Sequence, residues 1–222
     1  MNDGNDEYPV VITRKPVRSV RMRVKADGTV HITAPKGFDT TAFLREKKNW
    51  IAAHQAEMNR LAEGHTTTAD QMLLLGIRYT VCEGNRCQID HHEKVITAPD
   101  PVALRQHLTY DFRALIGESV SARAEEMGVS PGRCTIRMQK TRWGSCSSAG
   151  NLNFNLKLYA LPTHLRDYVV VHELAHLNVL NHSPAFWSEV ARQYPAYKNA
   201  ERDLSRYWIA IERNRWWNAI QK

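Results

Sequence analysis

No apolar run in this 222-residue chain approaches the roughly twenty residues that a membrane-spanning helix needs. The opening Met1-Asn-Asp-Gly-Asn-Asp-Glu7 is polar and acidic, with no apolar segment after it, so no secretory leader is expected and the expected location is the cytoplasm. Cysteine is sparse. Cys82, Cys87, Cys134 and Cys146 include no Cys-x-x-Cys, and their scatter argues for reduced packing thiols rather than a disulfide framework or a four-cysteine zinc site. Neither Gly-x-x-x-x-Gly-Lys-Ser/Thr nor Gly-x-Gly-x-x-Gly occurs, which removes the common phosphate-cradling loops. There is no internal repeat and no low-complexity tract.

What remains is the composition of an ordinary globular protein, 43% hydrophobic and 24% charged. The length suits one domain or two lobes. The reading adopted is a strand-rich lobe with one helix over residues 1–98 and a metal-binding region over 99–222. A net charge of +7 leaves an anionic partner open without saying anything about fold. Arg14, Lys15, Arg18, Arg21, Arg23 and Lys25 crowd one stretch. Strict alternation over 20–25 and again over 29–34, around Asp27-Gly28, predicts a hairpin. Its outward face would carry Arg21, Arg23 and Lys25, a candidate anion-binding face for nucleic acid whose plainer reading is a solvated strand surface.

Further along, Asp39 or Thr40 caps a predicted helix with Phe43, Leu44, Trp50, Ile51, Met58 and Leu61 on its buried stripe. Residues 64–71 read as a polar connector, followed by strands around 77–81, 87–89 and 95–96. Asp100-Pro101 opens a long helix that ends at Gly128, with Gly117 as a candidate bend. Residues 134–140 and 151–159 read as an antiparallel strand pair joined by a loop over 144–150. The second of these strands is expected to present an open edge to an extended peptide. Near the C-terminus, Trp208, Trp216 and Trp217 stand among Arg206, Arg213 and Arg215, a pattern that fits helix packing better than a base-stacking surface.

One stretch is hard to explain without a metal. In His172-Glu-Leu-Ala-His-Leu-Asn-Val-Leu-Asn-His182, a helix puts His172 and His176 on one face, where two imidazoles can share one ion. By chance a His-Glu-x-x-His arises in roughly 2 to 3 percent of chains of this composition, and with a histidine six places on in about one in a thousand. Catalytic zinc takes three protein ligands and keeps a position for water, so His182 is the expected third ligand and Glu173, beside the first histidine, the expected general base. The metzincin pattern has glycine where Val179 stands, so the helix must end differently. An end at Leu180 to Asn181, with Asn181 left-handed and Ser183-Pro184 opening the next helix, is the expected solution. Helix, strand pair and histidine-bearing helix together make an α+β chain with a zincin-like core.

Four motifs carry a resemblance: Lys140-Thr-Arg-Trp-Gly-Ser-Cys146, Asn151-Leu-Asn-Phe-Asn155, Tyr168-Val-Val-Val-His-Glu-Leu-Ala-His176 and Asn181-His-Ser-Pro-Ala-Phe-Trp187. With Arg21-Met-Arg-Val-Lys-Ala-Asp-Gly28 and Ala34-Pro-Lys-Gly37, the chain resembles the YgjP-like metal-dependent hydrolases, relatives of the SprT and WLM zinc-protease group, from about Val10 to Trp208. The resemblance implies zinc, or another divalent ion, on His172, His176 and His182, with Glu173 as base. It leaves the reaction open between peptide hydrolysis and nucleoside triphosphate pyrophosphohydrolysis, since both descriptions accompany this signature.

In the peptidase reading, Arg142 is the candidate second electrophile for the developing oxyanion. In the nucleotide reading, Arg142, Lys140 and the basic hairpin would neutralise phosphates. A third reading makes the metal a closed structural staple in a nucleic-acid-binding module, with no position left for water.

Overall fold

The computed structural model describes residues 8–221, so the acidic opening and the expectation that it is no leader lie outside the described residues. The chain divides into two compact units, Met1–Thr66 and Thr67–Lys222. In the first, strands β1 (Val10–Arg14), β2 (Arg21–Val24) and β3 (Val30–Ala34) precede helix α1 (Thr40–Ala62). Strands β2 and β3 form the expected antiparallel hairpin, and β1 adds in parallel on the other side of β3. At the turn, Asp27 accepts the Thr29 amide and Gly28 takes φ +88°, a left-handed value that favours glycine.

Val30, Ile32 and Ala34 point into a small core that also takes Ile51 from α1. The Asp39 carboxylate caps α1 by accepting the Thr41 and Ala42 amides. Trp50 is the exception to the predicted stripe. It lies one residue off the Ile51–Met58 line and stacks on His54 at the surface.

In the second unit, β4 (Gln71–Leu74), β5 (Ile77–Glu83), β6 (Gln88–Asp90) and β7 (Val95–Ala98) form a sheet in the order β4-β5-β7-β6. These strands do not belong to an N-terminal lobe ending at residue 98, contrary to the expectation from sequence. Met72, Leu74, Tyr79 and Ile96 share one core with Leu104, Leu108 and Phe112 of α2 (Pro101–Met127). A boundary at residue 98 would cut through that core. Helix α2 is capped by Asp100, passes through Gly117 without a break and ends on Gly128 at φ +65°.

Three short strands follow: β8 (Cys134–Arg137), β9 (Gly144–Cys146) and β10 (Leu152–Asn155). The expected antiparallel pair is not what forms. Strand β10 lies in the middle, parallel to β8 and antiparallel to β9, which occupies residues expected to be loop. The open edges therefore belong to β8 and β9. Strand β10 ends at Asn155, whose side chain accepts the Lys157 amide and donates to the Gln139 and Arg142 carbonyls. Residues Leu156–Ala160 make a 3-10 turn with all five side chains buried, so the apolar repeat there reflects a buried turn and not a half-exposed strand.

Helices α3 (Thr163–Ala175), α4 (Pro184–Gln193), α5 (Tyr197–Arg213) and α6 (Arg215–Ala219) complete the unit. The C-terminal tryptophans pack as expected: Trp217 is fully buried and donates its indole N–H to the Leu73 carbonyl, while Trp208 meets the edge of Trp143. The architecture is α+β, with a zincin-like succession of helix, small sheet and histidine-bearing helix. None of the helices described is long and apolar enough to cross a membrane. All four cysteines are free thiols, but Cys82 and Cys134 are exposed, so only Cys87 and Cys146 fit the packing role.

Candidate metal centre

Helix α3 buries Leu165, Val169, Val170, Leu174 and Ala175, which leaves one stripe for polar groups at its C-terminal end. His172 and His176 occupy that stripe one turn apart. The helix stops at Ala175, earlier than the expected end near Leu180 to Asn181. Turn hydrogen bonds from Leu177 to Leu174 and from Asn178 and Val179 to Ala175 close it. Asn181 is not among the left-handed residues, so the chain does not turn by the expected means. Its side chain accepts the Ser183 amide instead. Pro184 opens α4 as expected, although the Ser183 hydroxyl makes no cap.

This short return brings His182 back to α3. One ligand nitrogen from each of His172, His176 and His182 lies within 4.8 Å of the other two. Between His172 and His182 the Nε2 atoms are 3.1 Å apart. His176 turns Nδ1 to the Val179 carbonyl at 3.1 Å, which fixes its ring and leaves Nε2 for an ion. Burial is graded across the cluster: His176 is 8% exposed, His172 intermediate and His182 exposed. Burial and the neighbouring His176 and His182 push the His172 pKa down to about 4. Three converging imidazoles with one member exposed are the donor set that a catalytic divalent transition metal takes.

Aromatic rings wall the cluster, a feature that sequence reasoning missed. Phe186 stacks on His176 at 4.4 Å and meets His182 and His172 at 4.8 and 5.0 Å. Trp187 stacks on His182 at 5.7 Å. From sequence both look like packing residues of a short helix. Their place in the same motif as His182 is the signal that could have revealed them.

Glu173 is 5% exposed and faces β9. A β-carbon on Gly144 would come within 2.7 Å of Glu173 Oε1, so glycine at that position is what lets the strand approach the carboxylate. The Cys146 amide donates to the same carboxylate. Burial raises the Glu173 pKa to about 7, against the opposing pull of the Arg142 charge and the Cys146 amide. Gly144 and Cys146 stand in a sequence motif that by itself assigns a role to neither.

Arg142 is solvent-exposed and near enough for its charge to act on Glu173. Its backbone is held by Asn155. The next residue, Trp143, packs edge-on against Trp208, whose ring lies 4.9 Å from the ammonium of Lys157, a side chain that is 1% exposed and pairs with Glu212. His172, Glu173, His176, His182 and Arg142 thus gather at one place in the second unit. Arg21, Arg23 and Lys25 lie in the first unit, all exposed along β2 and the residue after it.

No curated protein matches the chain. Among solved structures it is similar to the crystal structure of the metallopeptidase zymogen of Pyrococcus abyssi abylysin, at 24% identity and a TM-score of 0.38, over 40% of this chain and 90% of that one. The family of the YgjP-like metallopeptidase domain matches residues 18–207. A match of that extent takes in both units and every residue of the histidine cluster, and it places this chain in the YgjP-like family, as a metal-dependent hydrolase.

Proposed function

We propose that the protein is a zinc metallopeptidase in which His172, His176 and His182 hold the ion and Glu173 is the general base. The observation that carries this reading is the convergence of three imidazole nitrogens within 4.8 Å beside one buried carboxylate. Bound zinc would supply Lewis acidity, polarising a carbonyl and making water a nucleophile near neutral pH. Glu173 takes the proton from the attacking water and passes it to the departing amine. A pKa near 7 suits a group that must both accept and release a proton at neutral pH. The Cys146 amide favours the charged form of that carboxylate, opposing the effect of burial. Arg142 is the charge available to a developing oxyanion.

Substrate capture is assigned to β9. It is an edge strand, and Gly144 brings its backbone against Glu173, so an extended peptide pairing with β9 would pass the carboxylate. This replaces the expectation that residues 151–159 would offer the edge, because β10 is paired on both sides.

The deciding experiment compares wild type with Glu173→Gln on an unfolded protein, a peptide library and nucleoside triphosphates. Peptide cleavage that disappears in the variant supports the proposal. Loss confined to triphosphate hydrolysis would replace peptide with phosphoanhydride as the substrate, and full activity in the variant would remove Glu173 from the mechanism. Zinc content near one equivalent per chain completes the test.

A further inference from the structure

A groove of about 490 Å³ runs between α2 and β8, on the edge of the small sheet opposite to β9. Three consecutive residues, Ile136, Arg137 and Met138, line it. Ile136 and Arg137 belong to β8 and Met138 follows its last residue; side chains of a strand alternate between faces, so two adjacent strand residues on one groove place it along the backbone edge and not on one face. The bond from the Leu152 amide to the Arg133 carbonyl sets the phase of the ladder: residues 133, 135 and 137 turn their peptide groups toward β10. Ile136 therefore turns its N–H and C=O to the open side, and no backbone partner among the described residues meets them there.

The other wall is charged. Arg105, Thr109 and Arg113 of α2 line the groove opposite Arg137, and no acidic residue does. None of the three arginines has an ion pair among the described residues. Arg113 stands eight positions after Arg105 on the helix, about 12 Å of axial rise, which corresponds to three or four residues of extended chain. Tyr110, 77% exposed, adds an uncovered aromatic surface at the rim.

We infer that this groove is a second peptide-binding site, which takes an extended segment with acidic side chains as an added strand on β8. The free edge supplies main-chain hydrogen bonds, and the guanidinium groups supply bidentate partners for carboxylates. The site is separate from the histidine cluster, since β10 lies between β8 and β9. It does not depend on the peptidase reading, because binding is measured without turnover.

The test uses the full chain with Glu173→Gln and a fluorescein-labelled peptide of alternating glutamate and valine, followed by anisotropy. Saturable binding that weakens more than tenfold in Arg105→Gln plus Arg113→Gln, and that is lost when alternate peptide amides are N-methylated, is the expected result. The methylated peptide probes the edge without altering the protein, so it remains informative if the variant misfolds. Equal binding of the methylated peptide would overturn strand addition. A matched lysine-valine peptide binding as well, or an oligothymidylate competing more tightly than the acidic peptide, would overturn the assignment of the occupant.

Discussion

Two groups of basic side chains in this protein are handled in opposite ways. The histidines at the end of α3 are drawn together, partly removed from water and walled by Phe186 and Trp187, whereas Arg21, Arg23 and Lys25 stand apart on an exposed strand face. Desolvation and mutual proximity change what the first group can do, as the lowered His172 pKa records. No comparable constraint acts on the second, where water and salt screen each charge. Basic residue type is therefore no guide to function; convergence and burial separate a reaction centre from a solvated or loosely binding face.

The sharpest break of that contrast is His176→Ala, which should take metal content from about one equivalent to near zero and abolish turnover. Metal retained at full stoichiometry, measured by elemental analysis, would remove His176 from the ligand set. Next comes Glu173→Gln, expected to keep the metal while lowering kcat by about 10²- to 10⁴-fold. Gly144→Ala should follow, because its β-carbon would meet Glu173 at 2.7 Å. A loss of about 1–3 kcal/mol is expected for such overpacking, read as a lower melting temperature together with reduced kcat. An unaltered enzyme would mean that β9 does not press on the carboxylate.

A smaller effect is expected from pH on the metal-free protein. Glu173 has a folded pKa raised from 4.5 to about 7, so its contribution is fully present below 4.5 and is lost as pH rises through 7. His172 has a folded pKa lowered from 6.5 to about 4, so its contribution is present above 6.5 and is lost as pH falls through 4. The two slopes oppose each other between 4.5 and 6.5. Glu173→Gln removes one of them, and the melting temperature of that variant should climb with pH across this window more steeply than wild type. Parallel profiles would show that the Glu173 pKa is not displaced.

The least effect on the fold is expected from Arg21→Ala plus Arg23→Ala, within about 0.5 kcal/mol for exposed positions. If that face binds nucleic acid, affinity for a duplex should fall in the variant, and wild-type affinity should fall steeply with added salt. A binding curve unchanged by both leaves a solvated surface.

Much of the histidine cluster's logic is legible in the amino-acid sequence alone. The spacing of His172, Glu173, His176 and His182 needs only helical periodicity and one return of the chain, both local properties. The strand hairpin around Asp27-Gly28 is legible for the same reason. What escapes is non-local. Strand β1 pairs with β3 in parallel, and β9 joins β10 through three residues containing glycine, serine and cysteine, a composition without strand preference. Alternation through residue 158 mimics a strand because a buried 3-10 turn also spaces apolar side chains. The unit boundary is hidden because a core shared by β4–β7 with α2 leaves no trace in local pattern.

Asn214 donates to the Gln71 carbonyl and Trp217 to that of Leu73, joining positions more than 140 residues apart. Strand β4 thus waits for its last partners until residues 214 to 217 have been synthesised. Closing so long a loop makes folding slow relative to helix formation, and trimming back past residue 214 would leave the hydrolytic unit unable to seal its first sheet.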